Sequence, residues 1–130
     1  MSWHFTSIDA RGAFGARNEL HETLREYASD DSDVDAALLI FGELVGNVVR
    51  HAPGPVEINL TWDAENAVLL VRDFGPGFDW TGAHLPDPLA ETGRGLFIVT
   101  QLAHQVAFER YADGMAARAW LPVARRPVAV

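Results

Sequence analysis

The feature that most constrains this fold is a long helical pattern that ends abruptly. From about Asp33 to His51, apolar residues recur at three- and four-residue steps, as on the buried face of an amphipathic helix. The residues that mark this face are Val34, Leu38, Phe41, Val45 and Val48. Pro53-Gly54-Pro55 follows, and neither proline nor the residue before it continues a helix easily. The sequence therefore predicts a helix with a sharp end, around which the rest of the chain packs.

Two polar residues interrupt the apolar surroundings of this helix. Glu43 and Asn47 are four residues apart, a spacing that places both side chains on one helix face. The apolar neighbours expected to point into a core are Phe41, Leu44, Val45, Val48 and Val49. A carboxylate and a carboxamide held together there are either well-paired core groups or one half of a functional site.

An acidic cluster, Asp30, Asp31, Asp33 and Asp35, lies around the expected start of the helix. Alternating aspartates can hold calcium, but no glycine turn and no distal glutamate complete a calcium loop here. A helix start explains the cluster better. Ser32 is predicted as the N-cap, with Asp35 three residues later as in a capping box, and acidic side chains suit the positive helix end.

The remaining sequence alternates between strand and helix patterns. The predicted strands cover residues 3–8, 56–62, 67–71, 106–111 and 115–121, and the other predicted helices cover residues 14–28 and 95–104. The first of these helices is marked at helical steps by Phe14, Arg17, Leu20, Leu24 and Tyr27. Ala112-Asp113-Gly114 contains an Asp-Gly pair typical of a hairpin turn. Residues 79–92 have no periodicity, and a loop of this length in a compact domain is often a functional lid.

This order of elements predicts an α/β (α+β) two-layer sandwich, with helices on one face of a mixed, mostly antiparallel sheet. The chain has 130 residues, within the usual size of one domain, and we expect residues 1–130 to form a single domain. Residues 122–130 carry no pattern and are predicted to be a loosely ordered tail.

Composition excludes several classes of function. The formal net charge of −8 is unfavourable for wrapping nucleic-acid phosphates, which requires clustered lysine and arginine. There is no cysteine, so disulfides and thiolate zinc sites are excluded, and the five histidines lack metal-ligand spacing. No apolar run approaches the ~20 residues that cross a bilayer, and the N-terminus lacks a secretory pattern. We expect a cytoplasmic protein that contacts neither nucleic acid nor membrane.

Asp73 is placed where a buried strand opens into a glycine-rich turn, beside Gly75 and Gly77. A carboxylate there can accept a hydrogen bond from an exocyclic amine such as that of adenine, or it can form an Asx turn. Gly93 and Gly95 precede a helix, where N–H groups can face an anion, although simple turn glycines would look the same. Neither a dinucleotide fingerprint nor a P-loop is present.

Taken together, these sequence motifs resemble those of the GHKL ATP-binding family. An acid-x-x-x-Asn helix, Asp-x-Gly-x-Gly after a hairpin, a loop and Gly-x-Gly opening a helix occur in family order, from about residue 13 to residue 121. The family includes gyrase-type ATPases, sensor histidine kinases, MutL proteins and the anti-sigma-factor serine kinases. The resemblance implies a Bergerat-type ATP-binding fold with ATP and Mg²⁺ as cofactors.

Within this family, the chain looks most like the anti-sigma regulatory kinases. The length leaves no room for a phospho-acceptor helix pair or a transducer domain, and the stretches ELVGNVVRHA and GRGLFIV are similar to this branch. The resemblance implies an ATP-dependent protein serine/threonine kinase that phosphorylates a STAS-type anti-sigma antagonist and binds a sigma factor. A homodimer through the N-terminal edge strand is a further expectation.

The resemblance also assigns roles to residues. Glu43 would be the general base, and Asn47 would hold Mg²⁺. Asp73 would read the adenine amino group, with Gly75 and Gly77 beside the base. The phosphate cradle and the end of the lid would comprise Thr92, Gly93, Arg94 and Gly95, although a solvated loop arginine would also explain Arg94.

One departure from the family pattern and two alternative functions remain. Gly46 stands where many relatives carry Thr or Ser, and glycine inside a helix costs about 1 kcal/mol relative to alanine. One alternative function is a non-catalytic module in which nucleotide gates binding of a protein. The other is a stand-alone histidine-kinase-type ATP-binding subunit.

Overall fold

The computed structural model describes residues 1–6, 10–51, 54–74 and 94–127. Within these residues the chain forms three helices and five strands. In chain order they are β1 (Ser2–Thr6), α1 (Ala10–Tyr27), α2 (Val34–His51), β2 (Pro55–Trp62), β3 (Asn66–Asp73), α3 (Arg94–Leu102), β4 (Gln105–Tyr111) and β5 (Gly114–Ala124). The predicted order of elements is confirmed, with ends that move by a few residues.

The strands form one sheet in the order β1-β2-β3-β5-β4. Each of the four described pairings is antiparallel. The predicted mostly antiparallel character is therefore confirmed, whereas the parallel pairing that a mixed sheet requires does not occur among the described residues. Strand β3 lies at the centre, where Asp73 pairs with Val56 of β2 and with Met115 of β5. The two predicted hairpins, β2–β3 and β4–β5, are therefore joined through the pairing of β3 with β5.

The helices cover one face of this sheet. Val56, Ile58 and Leu60 of β2 are buried and belong to the core, whereas the alternate residues Glu57 and Asn59 are half-buried. Helix α2 packs against β3 and β5, α1 packs against β1, and α3 packs against β4 and β5. The period of two along β2 thus separates a covered face from an uncovered one, as in a two-layer sandwich.

Helix α2 supplies the largest part of the helical core. Ile40, Phe41, Leu44 and Val48 are all at most 2% exposed. Val49 was also expected to point inward, but it is 43% exposed. Val49 lies seven residues, about two turns, after the exposed Gly42, so it belongs to the same exposed stripe of the helix.

Helix α1 is buried along a different stripe from the predicted one. Ala16, Leu20 and Leu24 are at most 1% exposed, whereas Phe14 is 65% exposed and Tyr27 is 43% exposed. The aromatic residues fit a helical period, but the small Ala16 continues the four-residue steps of the buried leucines. The predicted helix is therefore confirmed. Of the residues that marked its period, Leu20 and Leu24 lie inside, whereas Phe14 and Tyr27 lie outside.

The N-cap of α2 is Asp33, and the prediction of Ser32 was wrong. The Ala36 N–H donates to Asp33 Oδ1 at 3.0 Å, which is the capping geometry of a residue directly before the helix. Ser32 is occupied elsewhere, because its Oγ accepts a hydrogen bond at 3.0 Å from the N–H of Ala124.

Residues 122–124, which were predicted to be part of a loosely ordered tail, belong to the sheet. Strand β5 continues to Ala124, and Val123 is completely buried. The Ser29 N–H donates to the Ala124 carbonyl at 2.9 Å, and the Asp33 N–H donates to the Pro122 carbonyl at 2.9 Å. These bonds tie the end of β5 to the segment between α1 and α2. Residues 128–130 lie outside the described residues.

Among the described residues, no helix is both long and apolar enough to cross a bilayer.

Replacing Asp33 by alanine should lower the free energy of unfolding by about 1 kcal/mol, because the Ala36 N–H loses its capping acceptor. Asp33→Asn should retain most of the stability, since asparagine caps about as well as aspartate. Urea unfolding of the two variants and the wild-type protein measures the difference. Equal losses for the alanine and asparagine variants would contradict the assignment of the cap.

Candidate functional site

The C-terminal half of α2 presents the first two predicted site residues in different environments. Asn47 is buried, at 7% exposure. Glu43, one helical turn earlier, is half-buried. The carboxamide therefore lies inside the protein, and the carboxylate lies at the edge of the same helix face. This arrangement gives an inner polar group and an outer one that other molecules can reach.

Asp73 is the last residue of β3, and it is fully buried. It shares the sheet face of the buried Val71 and Leu69, which is the face covered by the helices. Within the part of the chain that the structure describes, the buried polar or charged residues are Asn47 and Asp73. Burial of a carboxylate is costly unless specific groups compensate it. Both of these buried polar residues are residues that the sequence predicts for the site.

The chain topology brings the ends of several elements to one end of the sheet. Helix α2 ends at His51, and β2 begins at Pro55, beside the end of β3. The Phe74 N–H donates to the Pro55 carbonyl at 3.2 Å, which joins the residue after β3 to the start of β2. Asp73 and the C-terminal end of α2 therefore share one end of the molecule.

The C-terminal end of helix α3 lies at the opposite end of the sheet from Asp73. Strand β4 begins at Gln105, which pairs with Trp120, far along β5 from the Met115 that pairs with Asp73. A short turn joins α3 to β4, and α3 packs against α2, β4 and β5. Of the two predicted glycine motifs, the structure describes only Arg94 and Gly95.

Gly114, the first residue of β5, lies directly against the backbone of Asp73. Its φ is +150°, and a Cβ built at this position would lie 2.0 Å from the Asp73 carbonyl oxygen. Only glycine permits both this conformation and this approach. The Asp-Gly pair had indicated a turn, but it gave no sign of the contact with Asp73, which depends on the pairing of β3 with β5.

Part of the predicted site falls outside the described residues, namely Gly75, Gly77, Thr92 and Gly93. Arg94 and Gly95 are the first two residues of α3, which was predicted to begin at residue 95. Their proposed contacts with a phosphate stay predictions.

The side chains of Asn47 and Asp73 suit the Mg²⁺ and ATP that the sequence resemblance implies. Across the described residues, no cluster of three or more His, Asp or Glu side chains could hold a metal ion. A Mg²⁺ ion bound mainly by phosphates and water needs few protein ligands, and the carboxamide oxygen of Asn47 is a suitable one. The carboxylate of Asp73 has only acceptor oxygens when ionised, so it suits an amine donor.

Replacing Gly114 by alanine should lower the free energy of unfolding by about 1–3 kcal/mol, because the new Cβ would strain the backbone against Asp73. Gly42→Ala in α2 is the matched control. Gly42 is exposed, and a Cβ there would meet nothing within 4 Å, so this variant should gain up to about 1 kcal/mol. Thermal unfolding of both variants measures the effects. A stable Gly114→Ala protein would contradict the described contact.

Comparisons with known proteins agree with this architecture. A family model described as "Histidine kinase-like ATPase domain" matches residues 9–120. No curated protein matches the chain significantly. Among solved structures, 21 chains match. One of them is the Acinetobacter baumannii histidine kinase AdeS, with 16% sequence identity and a TM-score of 0.54, covering 91% of this chain and 66% of that chain. At this identity the likeness concerns the fold.

Proposed function

This chain belongs to the histidine kinase-like ATPase family, and we propose that it acts as an anti-sigma regulatory factor with protein serine/threonine kinase activity. In this proposal it transfers the γ-phosphate of ATP to a serine or threonine of a STAS-type anti-sigma antagonist, and it also binds a sigma factor. The observation that carries the proposal is the half-buried Glu43, one turn before the buried Asn47 on α2.

The exposure of Glu43 suits a general base for a substrate that is itself a protein. A general base must come within hydrogen-bond reach of the proton that it removes. A side chain at the rim of the site can meet a hydroxyl brought by another protein, whereas a fully buried carboxylate would first require the fold to open. In this role Glu43 would accept the proton of the attacking serine or threonine hydroxyl while the oxygen bonds to the γ-phosphorus. The bond from the γ-phosphorus to the β,γ-bridging oxygen breaks at the same time, and ADP leaves with the electron pair.

The inner part of the site suits the nucleotide. Asp73 would accept a hydrogen bond from the exocyclic amino group of adenine, because an ionised carboxylate offers only acceptor oxygens. The backbone N–H groups at the start of α3 would face the phosphates, together with Gly93, Arg94 and Gly95. When bound, Mg²⁺ neutralises charge on the phosphates, and the Asn47 carboxamide oxygen would hold it.

The choice of the anti-sigma branch is supported by two stretches of sequence. One is the α2 stretch ELVGNVVRHA, and the other is GRGLFIV at the start of α3. Both resemble the anti-sigma regulatory kinases, which act on STAS-type proteins and bind sigma factors. The partners are proposed on this resemblance.

Removal of the base should abolish phosphoryl transfer without preventing nucleotide binding. With labelled ATP, Mg²⁺ and STAS-type proteins of the same organism, the wild-type chain should give an acid-stable phosphoprotein. Glu43→Gln should slow the reaction by about 10²–10⁴-fold, the usual contribution of a general base, and the dissociation constant for ATP should stay near the wild-type value. Glu26→Gln, at an exposed position of α1, is the matched control and should react normally.

Three outcomes of this assay would contradict the proposal in different ways. Normal transfer by Glu43→Gln would remove Glu43 as the base. An acid-labile phosphoprotein would indicate transfer to histidine, as in a stand-alone histidine-kinase-type subunit. Capture of a protein partner that depends on nucleotide, without any phosphoprotein, would indicate a non-catalytic nucleotide-gated module.

A further inference from the structure

Arg72 directly precedes Asp73 in β3, but it belongs to the other face of the sheet. In the register of the sheet, Arg72 lies between Glu57 and Ala116, one residue away from the pairs that Asp73 makes. Since successive residues of a strand point to opposite faces, Arg72 is on the uncovered face while Asp73 is under the helices. The two side chains are therefore adjacent in the chain but lie in different environments.

The guanidinium group of Arg72 is held on three sides. Its central carbon is 4.4 Å from the ring centroid of Phe74 and 4.2 Å from that of Tyr111. Its Nη2 donates to Asp113 Oδ1 at 2.7 Å. The Arg72 side chain is 24% exposed, whereas its partner Asp113 is 66% exposed, so the arginine is the better shielded member of the pair. A planar guanidinium can stack on rings and form a short ion pair at the same time, which a lysine ammonium group cannot do.

These contacts join the segments on either side of Asp73. Arg72 and Phe74 flank Asp73 in the chain, Tyr111 ends β4, and Asp113 lies in the turn before Gly114. The same turn also contacts the backbone carbonyl of Asp73 through Gly114. We call Arg72, Phe74, Tyr111 and Asp113 the Arg72 clamp. It fastens the β4–β5 turn to the backbone on both sides of the buried carboxylate.

The ring of Tyr111 is itself held in place. Its hydroxyl donates a hydrogen bond to the Glu109 carboxylate. This bond raises the pKa of the Tyr111 hydroxyl above its ordinary value, so the ring stays a neutral phenol.

We propose that Arg72 is a positioning residue for adenine recognition: the clamp sets the backbone of Asp73 so that its carboxylate meets the exocyclic amino group of the base. The inference rests on the proposed nucleotide site. A binding group must be held within about 0.5 Å of its productive position to discriminate between ligands. Asp73 is at the end of its strand, where sheet pairing gives the least support, and the clamp supplies that support from the opposite face.

The test compares ATP with inosine triphosphate, which carries an oxygen in place of the amino group. Dissociation constants for both nucleotides with Mg²⁺ are measured by calorimetry for the wild-type protein and for Arg72→Met. The wild-type protein should prefer ATP by about tenfold or more, the value of one well-placed hydrogen bond to a charged group. In Arg72→Met this preference should fall at least about threefold through weaker binding of ATP, with inosine triphosphate little affected, because Asp73 is less well placed.

Arg125→Met is the matched control. Arg125 also lies over an aromatic ring, with its central carbon 6.0 Å from the ring centroid of Trp62. It follows Ala124, which pairs with Asn66 at the opposite end of β3 from Asp73, so the variant should keep the wild-type preference for ATP. Asp113→Asn is the second variant. The Asp113 side chain is 66% exposed, so this change leaves the fold intact while it weakens the clamp. Its preference for ATP should lie between those of the wild-type protein and Arg72→Met.

The outcomes separate this inference from the proposed function. A wild-type protein that prefers ATP, with an unchanged preference in both Arg72→Met and Asp113→Asn, would overturn the role of the clamp alone. A loss of preference in Arg125→Met equal to that in Arg72→Met would also overturn it, since removal of any arginine that lies over a ring would then suffice. A wild-type protein that binds neither nucleotide would overturn the proposed function and this inference together.

Discussion

Docking of α2 onto the sheet is the interaction on which both the fold and the site depend. Ile40, Phe41, Leu44 and Val48 are at most 2% exposed, and burial of each such side chain contributes about 1.5–3 kcal/mol. The helical period that buries these residues also turns Asn47 inward and leaves Glu43 at the rim. The geometry of the polar pair is therefore a consequence of apolar packing, and a change that loosens α2 should disturb stability and site together.

The antiparallel topology explains how distant parts of the sequence reach this helix. Strand β3 lies at the centre of the sheet and ends in the buried Asp73, beside the start of β2 and the start of β5. A carboxylate at such a position is expensive to bury, so its surroundings must hold it firmly. Two contacts hold the backbone of Asp73, namely that of Gly114 and that of the Arg72 clamp on the opposite face. In the proposed function, the carboxylate held in this way binds the nucleotide.

The sequence was sufficient for features that local patterns determine. The bounds of α2 were predicted within one residue, because its apolar period and its Pro-Gly-Pro end are both local. The features that failed depend on distant contacts. Asp33 is the N-cap because Ser32 is engaged by Ala124, 92 residues away, and the same contact orders the end of β5. The contact of Gly114 with Asp73 requires the pairing of β3 with β5, for which the sequence of either strand alone carries no signal.

Thermal unfolding in the presence of nucleotides tests the central claim, that the region around Asn47 and Asp73 is an adenine nucleotide site. The measurement is the midpoint of unfolding with ATP, ADP and GTP, each with and without Mg²⁺. ATP and ADP should raise the midpoint, by an amount equivalent to about 2.7 kcal/mol at a hundred times the dissociation constant, while GTP should leave it unchanged. A midpoint that responds to none of the nucleotides, or equally to GTP and ATP, would contradict the claim.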